Sequence, residues 1–443
     1  MASSRPGSSL QVVEEPGAYI HFVVAAFALT LGLGPLIGVL LWLSRSGIAL
    51  AGREEALVQA HGWAQLVGWA GIFVAGFSLR LAPRFAGRPE PPERRARRIL
   101  GLLVVGMVVR SAALAAGSGT APAAVAVTGA LLEGAGMLGV SLTLVSILRA
   151  NRHPEATWAA LAAFGAAWWA CGALLQVLTA ALALGRADAV VPYAIDRGAA
   201  WAFLLGAIGN FIWAVQSRMM PTSFGRPPVP RRALLAPILA YNIATLLVVA
   251  TPIAADATGA TGLFRLRAAA LAVAGACIVW LAIACGAIAG EARRLRPASQ
   301  HLARYIVWAN RWAVLSGGLL VAFGVTAGVG VNVPGVNLED GALHAFGTGL
   351  ITMLIAGMLQ LVAPVFAMER MGGRAMGRLS LAVWWLLLAA ASTRVLAAIL
   401  PRAFNELGGL SALAGWLGLA LLVGALGRAR LMAVREVARA ARG

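Results

Sequence analysis

Lysine is missing from this chain altogether, and charge of either sign is scarce: only 12% of the 443 residues are charged. A soluble globular domain carries about 25%, so an ordinary water-soluble enzyme or binding domain is excluded. Cysteine is nearly absent too. Cys171, Cys277 and Cys285 all fall inside apolar runs, which leaves no disulfide framework. No Walker loop, zinc-type CxxC or HExxH, or nucleophile triad occurs, so nucleotide-driven and common hydrolytic chemistries have no residues to run on. Long soluble insertions and low-complexity tracts are also lacking.

Apolar sequence is what remains. Hydrophobic residues make up 60% of the chain and the mean hydropathy is +0.82. Twelve runs are long enough to cross about 30 Å of hydrocarbon. They lie near 18–44, 60–83, 99–118, 122–148, 157–184, 198–221, 233–254, 265–290, 304–331, 343–366, 379–400 and 409–427. The expectation is an all-α integral membrane protein, residues 1–443 forming one polytopic domain. Residues 1–17 are polar and the run after them is full-length, the pattern of a signal anchor. The net charge of +19 comes from arginines clustered in alternate loops: Arg84 to Arg98, Arg149 and Arg152, Arg226 to Arg232, Arg293 to Arg296, Arg370 to Arg378, and a tail from Arg428 to Arg442. Intervening loops are neutral, mixed or acidic, as at Asp188 with Asp196 and Glu339 with Asp340. This is the positive-inside pattern with both termini cytoplasmic. The basicity therefore serves topology and anionic lipid, not nucleic acid.

A frame repeats three times: a small residue, another eight on, and a proline seven further. The copies are Gly68–Gly76–Pro83, Gly206–Ala214–Pro221 and Gly349–Gly357–Pro364, each proline leading into a short basic stretch. They mark the second, sixth and tenth runs, dividing the chain into three pseudo-repeats of four helices near 18–148, 157–290 and 304–427.

The five histidines can be weighed singly. His153 and His301 lie in basic loops and His21 at the start of the first run, where solvated or interfacial roles suffice. His61 and His344 open two of the three frame helices, at matching depth near their outer ends; the second copy has no histidine. Ionisable residues in membrane spans are rare and usually functional. His61 stands seven residues before its frame glycine and His344 five. That offset turns a helical side chain by roughly 200° and can aim both imidazoles into one space. Two neutral histidines on opposite sides of an iron, in an apolar surround, suit a bis-imidazole haem. Arg110 in the third run and Arg394 in the eleventh fall toward the same side and suit its propionates. Arg110 is equally suited to a structural ion pair with Glu133 in the fourth run. Arg80, Arg218 and Arg311 sit nearer the other ends, where arginines snorkel. The fourteen tryptophans, among them Trp168-Trp169 and Trp384-Trp385, read as interface anchors or packing.

The chain resembles the NnrS family, and more remotely subunit I of the haem-copper oxidases. The resemblance rests on His61-Gly62-Trp63 through Ala75-Gly76-Phe77 to Ala82-Pro83, on Arg218-Met219-Met220-Pro221, and on Ala342-Leu343-His344 through Gly357-Met358 to Ala363-Pro364. It implies an oxidase-like arrangement of twelve helices in three arcs. His61 and His344 would match the pair that holds a low-spin haem. It further implies a b-type haem in a bacterial inner-membrane protein of nitric oxide and nitrosative stress handling, or of a denitrification-linked response. Its partners would be nitric oxide or a redox protein. The departures matter as well. Trp201 to Pro221 and Leu234 to Ala254 contain no histidine, where oxidases draw copper ligands, and the tenth helix has one histidine where oxidases have two. NnrS proteins commonly carry a further histidine after the tenth helix; here the stretch reads Val365-Phe366-Ala367-Met368-Glu369-Arg370. Oxygen reduction at a binuclear haem-copper centre is not expected, and copper is left open.

Two other classes fit twelve apolar runs: a secondary transporter, which usually shows two halves, and a haem-bearing electron-transfer or assembly subunit. The arginine pattern fixes the topology that any of them must have. Reporter fusions at Gly119 and Arg226 should report periplasm and cytoplasm respectively; the reverse result would invert every statement of depth.

Overall fold

A computed structural model describes residues 17–45, 54–153, 156–292, 294–295, 297–331, 334, 336–367, 374–400 and 407–440. Arg293, Arg296, Met368-Glu369-Arg370 and both chain ends therefore lie outside the described residues. Among those described there are only helices, and twelve are long and apolar enough to cross a membrane. They are α1 (Tyr19–Ser44), α2 (Glu54–Ala86), α3 (Glu93–Ala116), α4 (Thr120–Arg149), α5 (Thr157–Arg186), α6 (Tyr193–Phe224), α7 (Arg231–Thr258), α8 (Gly262–Ala284), α9 (Ser299–Gly328), α10 (Leu338–Leu361), α11 (Gly377–Ile399) and α12 (Leu407–Arg428). Large apolar side chains stand exposed along the outer helices, such as Leu174, Leu246 and Val24. An apolar surface of that extent is stable only in lipid.

Three helices start well before their apolar runs. α2, α6 and α10 begin at Glu54, Tyr193 and Leu338, so the expectation that His61 and His344 open their helices is corrected. Both sit nearly two turns inside. The early residues are polar, and hydropathy alone leaves them in loops. They are helical because acidic side chains in a first turn complement the amide dipoles there: Glu54 and Glu55, Asp196, and Glu339 with Asp340. On α10 the Asn337 side chain also caps the helix, accepting from the Asp340 amide at 2.9 Å. α8 is shorter than its apolar run suggests. It ends at Ala284, and a turn with Gly290 at φ +103° follows.

Consecutive helices pack side by side, and the circuit closes where α12 returns to α1. α2, α6 and α10 stand inside it. In their most apolar 18-residue stretches they are 94%, 94% and 78% buried, against at most 50% for the other nine. α2 packs on both α6 and α10, and the Trp201 indole of α6 reaches Glu339 of α10. The inner trio thus separates three compartments. One is fenced by α2 to α6, one by α6 to α10, and one by α10, α11, α12, α1 and α2.

The frame residues explain how helices come so close. In each copy at least one frame glycine seats an aromatic from the helix preceding its own, while Gly68 meets Leu29 and Met107. A Cβ on Gly76 would overlap Phe22 of α1, one on Gly206 would overlap Trp168 of α5, and Cβ atoms on Gly349 and Gly357 would overlap Trp312 and Tyr305 of α9. Each inner helix also carries a π-helical segment around its first frame residue: Ala64–Gly71, Ala202–Gly209 and Ala345–Ile351. A π turn takes up one residue more than an α turn and loosens the carbonyl ladder. The loosened carbonyls are satisfied locally. The Tyr241 hydroxyl and the Asn210 amide donate to Leu205 and Gly206, and the Thr352 hydroxyl donates to Gly347 five residues back.

Because Trp168 is rigid and buried, Gly206→Ala should destabilise the protein by about 1–3 kcal/mol. Gly318→Ala, on a helical position with nothing within 4 Å, should be neutral or stabilising by roughly 0.5–1 kcal/mol. Thermal unfolding in one detergent compares them; equal loss in both would show that the frame glycines are not packing contacts.

Candidate functional site

His61 and His344 border the same compartment, the one closed by α10, α11, α12, α1 and α2. His61 turns toward α1, where its Nδ1 donates to the Gly34 carbonyl at 3.1 Å and its ring lies against Gly38. His344 is held from within α10: its Nδ1 donates to the Asp340 carbonyl at 2.8 Å, and the Asp340 carboxylate lies 3.5 Å from the same nitrogen. That carboxylate accepts from Arg394 of α11 at 2.8 Å. In both rings Nδ1 is the donor, which puts the lone pair on Nε2, the nitrogen that ligates metal in this tautomer.

One turn of α plus one of π takes about eight residues. Trp69 therefore lies two turns beneath His61, and Thr352 two turns beneath His344. The Trp69 indole donates to the Thr352 hydroxyl at 3.2 Å. The histidine-bearing faces of α2 and α10 thus meet below the two rings.

Above that contact the faces are uncovered. His61, Gly62, Gln65 and Leu66 on α2 are partly exposed, as are Leu343, His344, Gly347 and Thr348 on α10. On α6, which has no histidine, residues 198–214 are all buried. A Cβ on Gly62 or Gly347 would meet nothing within 4 Å. Two residues before the first frame residue, where α10 has Gly347, α2 has Leu66 and α6 has Leu204. A leucine is therefore absent where space opens beside His344. No group of three or more His, Cys, Asp or Glu able to hold a metal occurs among the described residues. Ligation here would rest on two imidazoles.

The counterparts of His344 in the other two copies make contacts across the trio that His344 does not. Trp63, Trp201 and His344 each stand five residues before their frame residue. Trp63 donates to Asp196 on α6 at 2.9 Å, and Trp201 donates to Glu339 on α10 at 2.7 Å. Asp196 and Glu339 are themselves counterparts, ten residues before the frame, and the third counterpart is Val58. Going round the trio, indole meets carboxylate twice. At the third junction His344 replaces the indole and Val58 the carboxylate.

Arg110 does not join the histidines. Its guanidinium lies 4.2 Å over the Trp63 ring and donates to Gln176 at 2.8 Å and to Glu133 at 3.3 Å, in the compartment of α2 to α6. The ion pair with Glu133 is what the structure forms. Arg394 does border the histidine compartment, acting through Asp340. Glu133 is not the only embedded carboxylate: Asp196, Glu339 and Asp340 sit inside helices, and Arg267 grips Glu339 with two hydrogen bonds of 3.0 and 2.6 Å. Arg80 is buried on Glu90 instead of snorkelling, whereas Arg218 and Arg311 are exposed. His21 is paired with Glu93 at 3.6 Å, and His153 is exposed. Cys285, just past α8, is buried and its thiol is pushed up to about 12 by desolvation, so it is no nucleophile. Asp340, Gly62 and Gly347 were missed by reading the sequence; aligning the three copies residue by residue exposes Gly347, a glycine where the other two have leucine.

Glu133 is fully buried, so losing its partner strands a charge. Arg110→Met should cost about 3–5 kcal/mol, and Arg110→Met/Glu133→Leu should recover most of it. Thermal unfolding of the two variants tests this, and no recovery in the double variant would refute the pairing.

No protein-family model matches the chain, and no curated protein matches it.

Proposed function

We propose that this is an NnrS-like, haem-binding protein of the bacterial inner membrane that handles or responds to nitric oxide. A single b-type haem would lie in the compartment of α10, α11, α12, α1 and α2. The observation that carries the reading is the uncovered stripe on α2 and α10, with open space at Gly62 and Gly347 beside the two histidines and no such stripe on α6. The donor set fits an iron porphyrin: two imidazoles, each held through Nδ1 by a backbone carbonyl, and glycines that admit a flat macrocycle. Arg394 is the arginine available to a propionate, with Asp340 holding both it and His344 in place. Bound there, haem would supply one-electron chemistry and, on release of one imidazole, a position for nitric oxide.

The fold assigned to this reading is that of oxidase subunit I, three pseudo-repeats of four helices. Its support is that helix-to-helix packing, π segments and seated aromatics all recur every four helices. A transporter of two six-helix halves would not produce that period.

Purified protein should show a six-coordinate low-spin absorption spectrum that shifts on reduction and again with nitric oxide. His61→Ala and His344→Ala should each lose or severely alter it, while His153→Ala and His301→Ala leave it unchanged. A haem-free wild type, or a normal spectrum in the double variant His61→Ala/His344→Ala, would sink the proposal.

A further inference from the structure

α9 and α11 both pack on α10, and four tryptophans gather where they flank it. Trp308 and Trp312 stand one turn apart on α9, and Trp384 and Trp385 are neighbours on α11. The Trp308 and Trp384 rings meet edge to face at 5.9 Å, and Trp384 meets Trp385 at 4.6 Å. Trp312 and Trp384 are each 7% exposed, yet neither indole N–H has a partner among the described residues. A buried indole N–H normally finds an acceptor. Here the helices supply none.

The same side of the bundle is basic. Arg304, Trp308 and Arg311 follow at helical spacing along one face of α9. The Arg311 guanidinium folds back over the Trp308 ring, 4.9 Å from its centre, and its Nε donates to the Ile288 carbonyl at 3.1 Å. Arg304 donates to the His301 carbonyl at 2.7 Å. On α11 the exposed Arg378 is brought level with Arg304, because the Tyr305 hydroxyl donates to the Ser380 carbonyl at 2.6 Å. None of the three arginines forms an ion pair among the described residues, and neither α9 nor α11 contains Asp or Glu.

Unanswered donors and uncompensated positive charge select the occupant. It must carry negative charge and hydrogen-bond acceptors. It must also be reached from lipid, because exposed Leu315, Leu381 and Trp385 border the arginines. A free anion is poorly solvated there, and a neutral lipid or quinone leaves the guanidiniums without a counter-charge. We propose that this face of α9 and α11 binds one anionic phospholipid. Arg304 and Arg311 take its phosphate, the geometry for which guanidinium is suited. Its ester carbonyls supply acceptors for the indoles, and an acyl chain lies along Leu315 and Leu381. This is a site for one molecule, distinct from the diffuse attraction of basic loops to an anionic membrane surface. The inference rests on no haem and on no role for the histidines.

Native mass spectrometry of the full-length, delipidated protein, titrated with phosphatidylglycerol or with phosphatidylcholine, tests this. One phosphatidylglycerol per chain should be retained under conditions that strip phosphatidylcholine. Arg304→Gln/Arg311→Gln, checked for folding by gel filtration and circular dichroism, should weaken that binding by about tenfold or more. Arg218→Gln, which removes an exposed arginine of α6, should leave it unchanged. Equal retention of the two lipids, undiminished binding in the folded double variant, an equal loss in Arg218→Gln, or a quinone or second copy of the chain held in the lipid's place would each overturn the proposal. Should the double variant misfold, the comparison of the two lipids on the wild type decides.

Discussion

Three helices in this protein have almost no lipid to face, and everything else follows from packing them. α2, α6 and α10 must bury every side, yet each is a helix about 10 Å across that other helices have to approach closely. Lipid tails are as apolar as leucine, so burial by itself drives little association. Close van der Waals contact has to do the work. The frame glycines provide it by letting Phe22, Trp168, Trp312 and Tyr305 press against backbone. The same closeness is felt elsewhere in the arcs. Gly106 and Gly129 bring α3 and α4 together around Arg110 and Glu133, and Gly275 and Gly317 join α8 to α9.

A repeated packing solution makes its exceptions meaningful. Indole-to-carboxylate contacts close two of the three junctions between inner helices, and a polar group in hydrocarbon needs such a partner. At the third junction the indole has become His344 and the carboxylate Val58. His344 is therefore not committed across the junction; its own helix holds it, through Asp340. Gly347 stands where the other copies have leucine, and the result is an imidazole beside open space. The compartment of α2 to α6 went the other way. Trp63, Arg110, Glu133 and Gln176 fill it with a polar network in which one carboxylate oxygen of Glu133 has no partner among the described residues. A half-satisfied network of that kind is costly, and no physical reason for leaving that oxygen unpaired emerges from its surroundings.

The π segments connect the packing to the site. They set the spacing that stacks Trp69 under His61 and Thr352 under His344. They also free the carbonyl that Thr352 satisfies while its hydroxyl accepts from Trp69. One threonine thus mends a loosened helix and ties α2 to α10 just below the histidines. In the other copies glycine stands at that position, Gly71 and Gly209, each close against the carbonyl five residues back.

The number of apolar spans, and with it the membrane setting, was determined by the sequence alone, as was the place of two histidines in the repeat frame. Long apolar runs, alternating arginine loops and a rare ionisable residue are signals that need no neighbour to be read. The helix starts were not legible from hydropathy, because Glu54, Asp196, Glu339 and Asp340 look like loop residues until their helix dipoles, and for Glu339 and Asp340 their arginine partners, are in place. Which way His61 and His344 turn was likewise undecided. A two-residue offset fixes an angle on an ideal helix, but the π segments alter that angle, and π-helical geometry is not written in composition. Arg110 had two plausible roles in the chain and acquired one only when Trp63, Gln176 and Glu133 gathered around it from three other helices. Tertiary structure decided these matters because each depends on what residues distant in sequence leave covered, paired or open.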